Sequence, residues 1–117
     1  MYYVNMFDFL LPKVKKVTAE DVKKAIDTKE NVVILDVRTN AEVDKGKIQG
    51  SINIPLDLLK KNVEKYLPDK TKKTYVYCLS GSRSMAAVQL MEQLGYTEVY
   101  TMTSGMLAWR AKGYPVR

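Results

Sequence analysis

Thr74-Tyr75-Val76-Tyr77-Cys78-Leu79-Ser80-Gly81-Ser82-Arg83-Ser84 is the stretch on which the reading of this chain turns. Its first four residues are apolar and β-prone, the mark of a short strand. Small polar residues around a glycine follow. A segment with Ala87, Leu90, Met91 and Leu94 at helical spacing comes next, with Gly95 at its C-terminal cap. Strand, tight loop and helix entrance therefore succeed one another within a few residues, and Cys78 stands where the strand ends. Backbone N–H groups and the positive end of a helix gather at such a junction, which suits it to holding an anion.

The same alternation extends in both directions. Thr18-Ala19-Glu20-Asp21 reads as an N-cap with an acidic first turn, and Val22, Ala25 and Ile26 carry a helix to about Asp27. Val32-Val33-Ile34-Leu35 is a continuous β-branched and apolar run, the pattern of a strand buried on both faces of a parallel sheet, and it ends in Asp36-Val37-Arg38. Thr39 caps a short helix over 41–44, stopped at Gly46. Ser51 to Ile54 predicts a brief strand closed by Pro55. Leu59, Val63, Tyr66 and Leu67 mark an amphipathic helix ended by Pro68. Lys70 to Lys73 read as a basic turn. Glu98 to Tyr100 predicts another strand, and Ser104 a cap for a last helix through Trp109 to Lys112, closed by Gly113. Strands alternating with helices predict an α/β fold, a mostly parallel sheet with helices on both faces. Ligand sites in such sheets lie beyond the carboxyl ends of the strands, so Asp36 and Cys78 are expected on one edge.

The 117 residues, 46% apolar and 27% charged, fit one globular domain and argue against disorder. One cysteine excludes an internal disulfide and points to a reducing compartment, with the cytoplasm as the expectation. The chain has no histidine. That removes the Ser-His-Asp triad, the Cys-His pair and every imidazole metal ligand, so neither a metal nor a cofactor is expected. The net charge of +6, with lysines at positions 13, 15 and 16, 60 and 61, and 70, 72 and 73, favours anions in general. No basic and aromatic pattern of a nucleic-acid module accompanies it, so DNA is not an expected partner. Residues 1–15 read as an apolar N-terminal extension ahead of a domain over 16–117. Met1 to Leu11 are interrupted by Asn5 and Asp8, too short to span a bilayer and without a signal-peptide pattern. Packing on the domain is expected there, ahead of a membrane-interface helix or a dimer contact, and a monomer is favoured.

The cysteine can ionise without an imidazole. Free cysteine has a pKa near 8.5, leaving only about 3% thiolate at neutral pH. Reaching a pKa of about 6.5 takes roughly 2.7 kcal/mol in favour of the anion. A helix N-terminus supplies about 0.3–1 kcal/mol, and each charge-assisted hydrogen bond roughly 1.5–3 kcal/mol. Gly81 lets the loop turn so that its N–H groups converge, and Ser80, Ser82 and Ser84 add hydroxyls. Arg83 is either a cation aimed at the pocket or a clamp on a carboxylate. The alternative for Cys78 is a buried, inert hydrophobe, which a polar glycine loop beside the sulfur argues against.

Cys78-Leu79-Ser80-Gly81-Ser82-Arg83-Ser84 resembles the active-site loop of single-domain rhodaneses, the thiosulfate-type sulfurtransferases. Four more blocks agree in the family's order: Asp36-Val37-Arg38 with Glu42, residues Gly46 to Pro55, Gly105 with Trp109, and Gly113-Tyr114-Pro115. The resemblance implies a three-layer fold around a five-stranded, mostly parallel sheet. It implies Cys78 as nucleophile, residues Leu79 to Ser84 as the substrate-binding loop, and Asp36, Arg38 and Glu42 as structural support, Arg38 pairing with Glu42. It further implies a small anionic sulfur donor, a cysteine persulfide, and cyanide, a thiol or a partner protein as acceptor. Trp109 is expected in the core, covered by Tyr114 and Pro115.

The chain departs from the pattern at Lys47, often histidine in the family, at Gln49, often proline, and at Leu79, where many thiosulfate-using members carry a cation. An apolar Leu79 disfavours a dianion and points toward a persulfide donor. Two other classes compete. Cysteine-dependent phosphatases and some arsenate reductases place five residues between Cys and Arg; here positions 79 to 82, four residues, lie between Cys78 and Arg83, a loop too small for a reacting phosphate. Inactive rhodanese-like binding modules commonly lack the cysteine, which is present here.

Overall fold

The computed structural model describes residues 13–117. Five strands, β1 (Lys16–Val17), β2 (Val33–Asp36), β3 (Ile52–Asn53), β4 (Thr74–Tyr77) and β5 (Val99–Met102), form one sheet in the order β1-β5-β4-β2-β3. Every pairing is parallel. Five helices connect or follow them: α1 (Ala19–Asp27), α2 (Asn40–Asp44), α3 (Leu56–Tyr66), α4 (Ser82–Gln93) and α5 (Gly105–Ala111). Parallel neighbours need crossover connections, and the helices supply them.

Both faces of the sheet are covered, which is why the central strands read as unbroken apolar runs. Side chains alternate across the sheet, so Leu35 and Val76 join the core made with Leu59 and Val63 of α3 and Ala87, Val88 and Met91 of α4. Ile34, Tyr75 and Tyr77 face the other way, onto Val22 and Ala25 of α1 and Met106 and Trp109 of α5. Each fully buried Leu, Val or Met contributes roughly 1.5–3 kcal/mol. Trp109 lies in this second core as expected, edge-on to Tyr114 at 5.0 Å, with its indole N–H donating to the Pro115 carbonyl at 2.8 Å.

Local signals set the helix ends. Thr18 and Asp21 form a reciprocal capping box at α1, and Thr39 and Glu42 form another at α2. Helix α4 closes in a Schellman pattern, with the Tyr96 N–H donating to Met91 and the Gly95 N–H to Glu92.

Several expectations need correction. Strand β1 has no counterpart in the sequence reading: two residues paired to one edge carry no periodicity. The strand expected over 98–100 runs instead over Val99–Met102, because Thr101 and Met102 pair with β1. The strand over 51–54 is only Ile52–Asn53. Tyr66, placed on the apolar face of α3, is exposed, and Leu67 takes the buried position just beyond the helix. Leu90 and Leu94 are half-buried, whereas Val88 is wholly buried. Ser104 occupies the cap position of α5 in a left-handed conformation (φ 59°) and makes no side-chain cap bond. The packing expected of residues 1–11 lies outside the described residues.

Candidate active site

The register of the sheet assembles the site. Asp36 pairs with Tyr77, so the loops after β2 and β4 leave the sheet side by side at its carboxyl edge. Alternation along β4 then sends Cys78 to the same side as Val76, against the first turn of α4. The chain turns sharply at Gly81, whose φ of 115° is closed to most side chains, and α4 begins at Ser82.

That turn folds the loop around the sulfur. The Gly81 N–H donates to Cys78 Sγ at 3.1 Å and the Ser84 N–H at 3.4 Å, while Ser84 Oγ lies 3.6 Å away. Cys78 is 1% exposed. Burial alone pushes the thiol up; hydrogen bonds from the Ser84 hydroxyl and from the N–H groups of Ser84, Gly81 and Ser80 outweigh it, and the net direction is down. The donors expected around the sulfur are in place, and the burial expected of the inert alternative is present beside them.

The far side of the cysteine is held by α5. The Met106 N–H donates to the Cys78 carbonyl at 2.9 Å and the Leu107 N–H to the Leu79 carbonyl at 3.1 Å. Gly105 makes this approach feasible: a methyl group on it would overlap the Cys78 and Leu79 carbonyls. Leu79 itself is 40% exposed on the rim.

The charged residues fall into two separate pairs. Arg38 is buried and grips Asp36, with Nε 3.0 Å from Oδ1 and Nη2 2.7 Å from Oδ2, and Nη2 also donates to the Gly46 carbonyl at 2.8 Å. Asn53 of β3 donates to the Asp36 and Arg38 carbonyls, tying this turn to the sheet. Arg83 makes a bidentate pair with Glu42, at 2.7 and 2.8 Å. The pairing expected between Arg38 and Glu42 is thus replaced: Arg38 reaches only the Glu42 backbone carbonyl, at 3.5 Å. The capping box turns the Glu42 carboxylate toward α4, where the fork of Arg83 fits it. Of the two readings open for Arg83, the clamp is the one observed. The Arg83 hydrogen bonds hold the Glu42 carboxyl at about 2, against burial that pushes it up, with Thr39 adding to the lowering.

One residue of the site was not read from the sequence. Thr101, buried on β5, places its hydroxyl 2.7 Å from Ser84 Oγ. A lone threonine in a strand carries no motif, and only the register of β5 against β4 brings it there. Two clefts flank the loop. One, of about 330 Å³, includes Lys16, Ser80, Gly81, Ser82 and Thr101 in its lining; the other, of about 280 Å³, lies between Pro55, Leu56 and Arg83. Among the described residues no group of three or more Cys, Asp or Glu is placed to hold a metal ion.

A family model, the rhodanese-like domain, matches residues 18–112. The chain belongs to the rhodanese-like family. A sulfurtransferase of Allochromatium vinosum is 30% identical over 103 residues, covering 88% of this chain and 94% of that protein. The thiosulfate sulfurtransferase PspE of Escherichia coli is 37% identical over 65 residues, covering 56% of this chain and 62% of its own length. The crystal structure of a rhodanese-related protein from Thermoplasma volcanium superposes with a TM-score of 0.78 at 36% identity, covering 88% of this chain and 97% of that one. In this rhodanese-like domain the match encloses both charged pairs and the whole cysteine loop. No helix among the described residues is long and apolar enough to cross a membrane.

Proposed function

We propose that this protein is a sulfurtransferase in which Cys78 carries sulfane sulfur as a persulfide. The observation that supports it most directly is the convergence of the Gly81 and Ser84 N–H groups on Sγ. Donors fixed in place before reaction stabilise charge on sulfur with no reorganisation and no proton shuttle. The thiolate attacks the outer sulfur of the donor, forming a new S–S bond. The donor's own bond to that sulfur breaks, and its electron pair leaves with sulfite if the donor is thiosulfate, or with a thiolate if it is a persulfide. The enzyme then holds Cys–S–S⁻. An acceptor (cyanide, a small thiol or a partner protein) attacks the outer sulfur, and Cys78 departs as thiolate.

Leu79 distinguishes the donors. An apolar residue on the rim adds nothing to the capture of a dianion, so a persulfide, small or protein-borne, is the preferred source. The working form is a monomer in a reducing compartment such as the cytoplasm, with Leu79 to Ser84 binding the substrate and Asp36, Arg38 and Glu42 supporting the loop.

Intact-mass measurement tests the chemistry. Incubation with thiosulfate or a persulfide should add the mass of one sulfur atom, removed by cyanide and absent in Cys78→Ala. A protein that gains no sulfur from any donor is a non-catalytic binding module instead.

A further inference from the structure

We propose that Thr101 is a positioning residue for the Cys78 thiolate, its buried hydroxyl directing the proton of Ser84 toward sulfur. The inference rests on the reading of Cys78 as the sulfur carrier.

Proton counting carries it. Each hydroxyl has one proton to donate. Thr101 is 2% exposed, and among the described residues its hydroxyl meets one partner, Ser84 Oγ at 2.7 Å. Ser84 Oγ has two further neighbours, the Gly81 carbonyl at 3.1 Å and Cys78 Sγ at 3.6 Å. Were Ser84 to donate to Thr101, the Thr101 proton would be buried with no acceptor, a costly arrangement. Thr101 therefore donates and Ser84 accepts, which leaves the Ser84 proton free for its other two neighbours.

Those two neighbours define a switch. While Cys78 is a neutral thiol, its S–H donates to Ser84 Oγ and the Ser84 hydroxyl donates to the Gly81 carbonyl. When the thiol proton is lost to solvent, the Ser84 hydroxyl rotates onto the sulfur anion. The Gly81 carbonyl is not abandoned, because the Met85 N–H also donates to it, at 3.2 Å. Thr101 keeps its bond to Ser84 in both states and makes no hydrogen bond of its own to the sulfur. The register of β5 on β4 pairs Thr101 with Val76, two residues before Cys78 on the same face, so the sheet itself holds this chain of hydroxyls in line.

The test is a pH profile of Cys78 alkylation by iodoacetamide, read on the full chain without any sulfur substrate. Thr101→Val should move the midpoint up by about one unit, roughly a tenfold loss of thiolate at any pH below both midpoints. Thr101→Ser, which keeps the hydroxyl, should restore it. On a Ser84→Ala background, Thr101→Val should cause no further shift, because the relay is already cut. Thr101→Ala is the second hydroxyl-free variant, used if valine is not tolerated at this packed site. The charged groups around the loop are unchanged in every variant: Arg83 and Glu42, Asp36 and Arg38, and Lys16 on β1. Equal shifts in the presence and absence of Ser84, or no shift at all, overturn the relay. A wild-type midpoint no lower than that of free cysteine overturns the proposed function itself, whatever Thr101 does.

Discussion

Arg83 in the first turn of α4 and Glu42 in α2 face each other through two parallel N–H···O bonds of 2.7 and 2.8 Å. Arg83 lies within the Leu79–Ser84 segment that cradles Cys78, and Glu42 is the residue that closes the α2 capping box. The pair fastens the cysteine loop to the neighbouring loop after β2, across 41 residues of chain. The Glu42 carboxyl sits at about 2 in the folded protein against an ordinary value of 4.5. A carboxyl lowered on folding stabilises the native state above its unfolded value, and that contribution fades as the pH falls through the folded one. Glu42→Gln should therefore lower the melting temperature at pH 7, and the gap to wild type should narrow as the pH drops from about 4.5 toward 2. The pair is partly exposed, so solvent screening keeps its worth to about 1 kcal/mol, a shift of roughly 4 °C. Melting curves at pH 7 and near pH 2.5 read this directly; a gap that does not depend on pH would contradict it.

Arg38 and Asp36 are a different case, because both are buried. Removing one partner leaves an uncompensated charge in the interior, which costs about 3–5 kcal/mol. That is a large part of the roughly 5–15 kcal/mol that holds a typical domain folded. Arg38→Ala should reduce the urea midpoint severely or abolish folding at 37 °C, while a mild effect would show that water reaches Asp36.

Gly105 should tolerate no side chain. Its φ of 48° is left-handed, and an added methyl group would overlap the Cys78 and Leu79 carbonyls. Gly105→Ala is expected to lower stability by about 1–3 kcal/mol through backbone strain alone. It should also displace the strand end that presents the sulfur. Denaturation together with the rate of Cys78 alkylation checks both halves; an unaltered alkylation rate would mean that α5 supports the fold without setting the thiol.

Leu79→Arg places a cation on the exposed rim beside the sulfur. A single pair in that setting is worth about 1 kcal/mol, so the thiosulfate KM should fall about fivefold. The KM for a persulfide donor, whose reacting end carries one negative charge in place of two, should fall less. An unchanged thiosulfate KM would remove the donor preference attributed to Leu79.

Much of the frame could be read residue by residue. Thr18 with Asp21 and Thr39 with Glu42 satisfy helix N–H groups within one turn, so capping shows in the local order of residue types. Val33 to Leu35 and Thr74 to Tyr77 carry the unbroken apolar runs that burial on two faces demands. The cysteine at the end of β4 and the glycine that bends the chain after it lie three positions apart, and the cradle they build is equally local.

Tyr66 and Ser104 show where local reading stops. Tyr66 fits the helical period but is the last residue of α3 and stays exposed, while Leu67, just beyond the helix, takes the buried position. Ser104 is a good capping residue by type, yet the close approach of α5 to the Cys78 carbonyl imposes a left-handed backbone there. In both, packing against a distant element overrides the nearest-neighbour preference.

From residue order alone came a doubly covered parallel sheet and a sulfur placed at its carboxyl edge, since periodicity, caps and one glycine turn act over a few positions. Three-dimensional packing decided that Glu42 takes Arg83 and not Arg38, that β1 completes the sheet, and that Thr101 stands behind Ser84. Each of those depends on groups brought together from far along the chain, where geometry and desolvation select the partner from several of suitable chemistry.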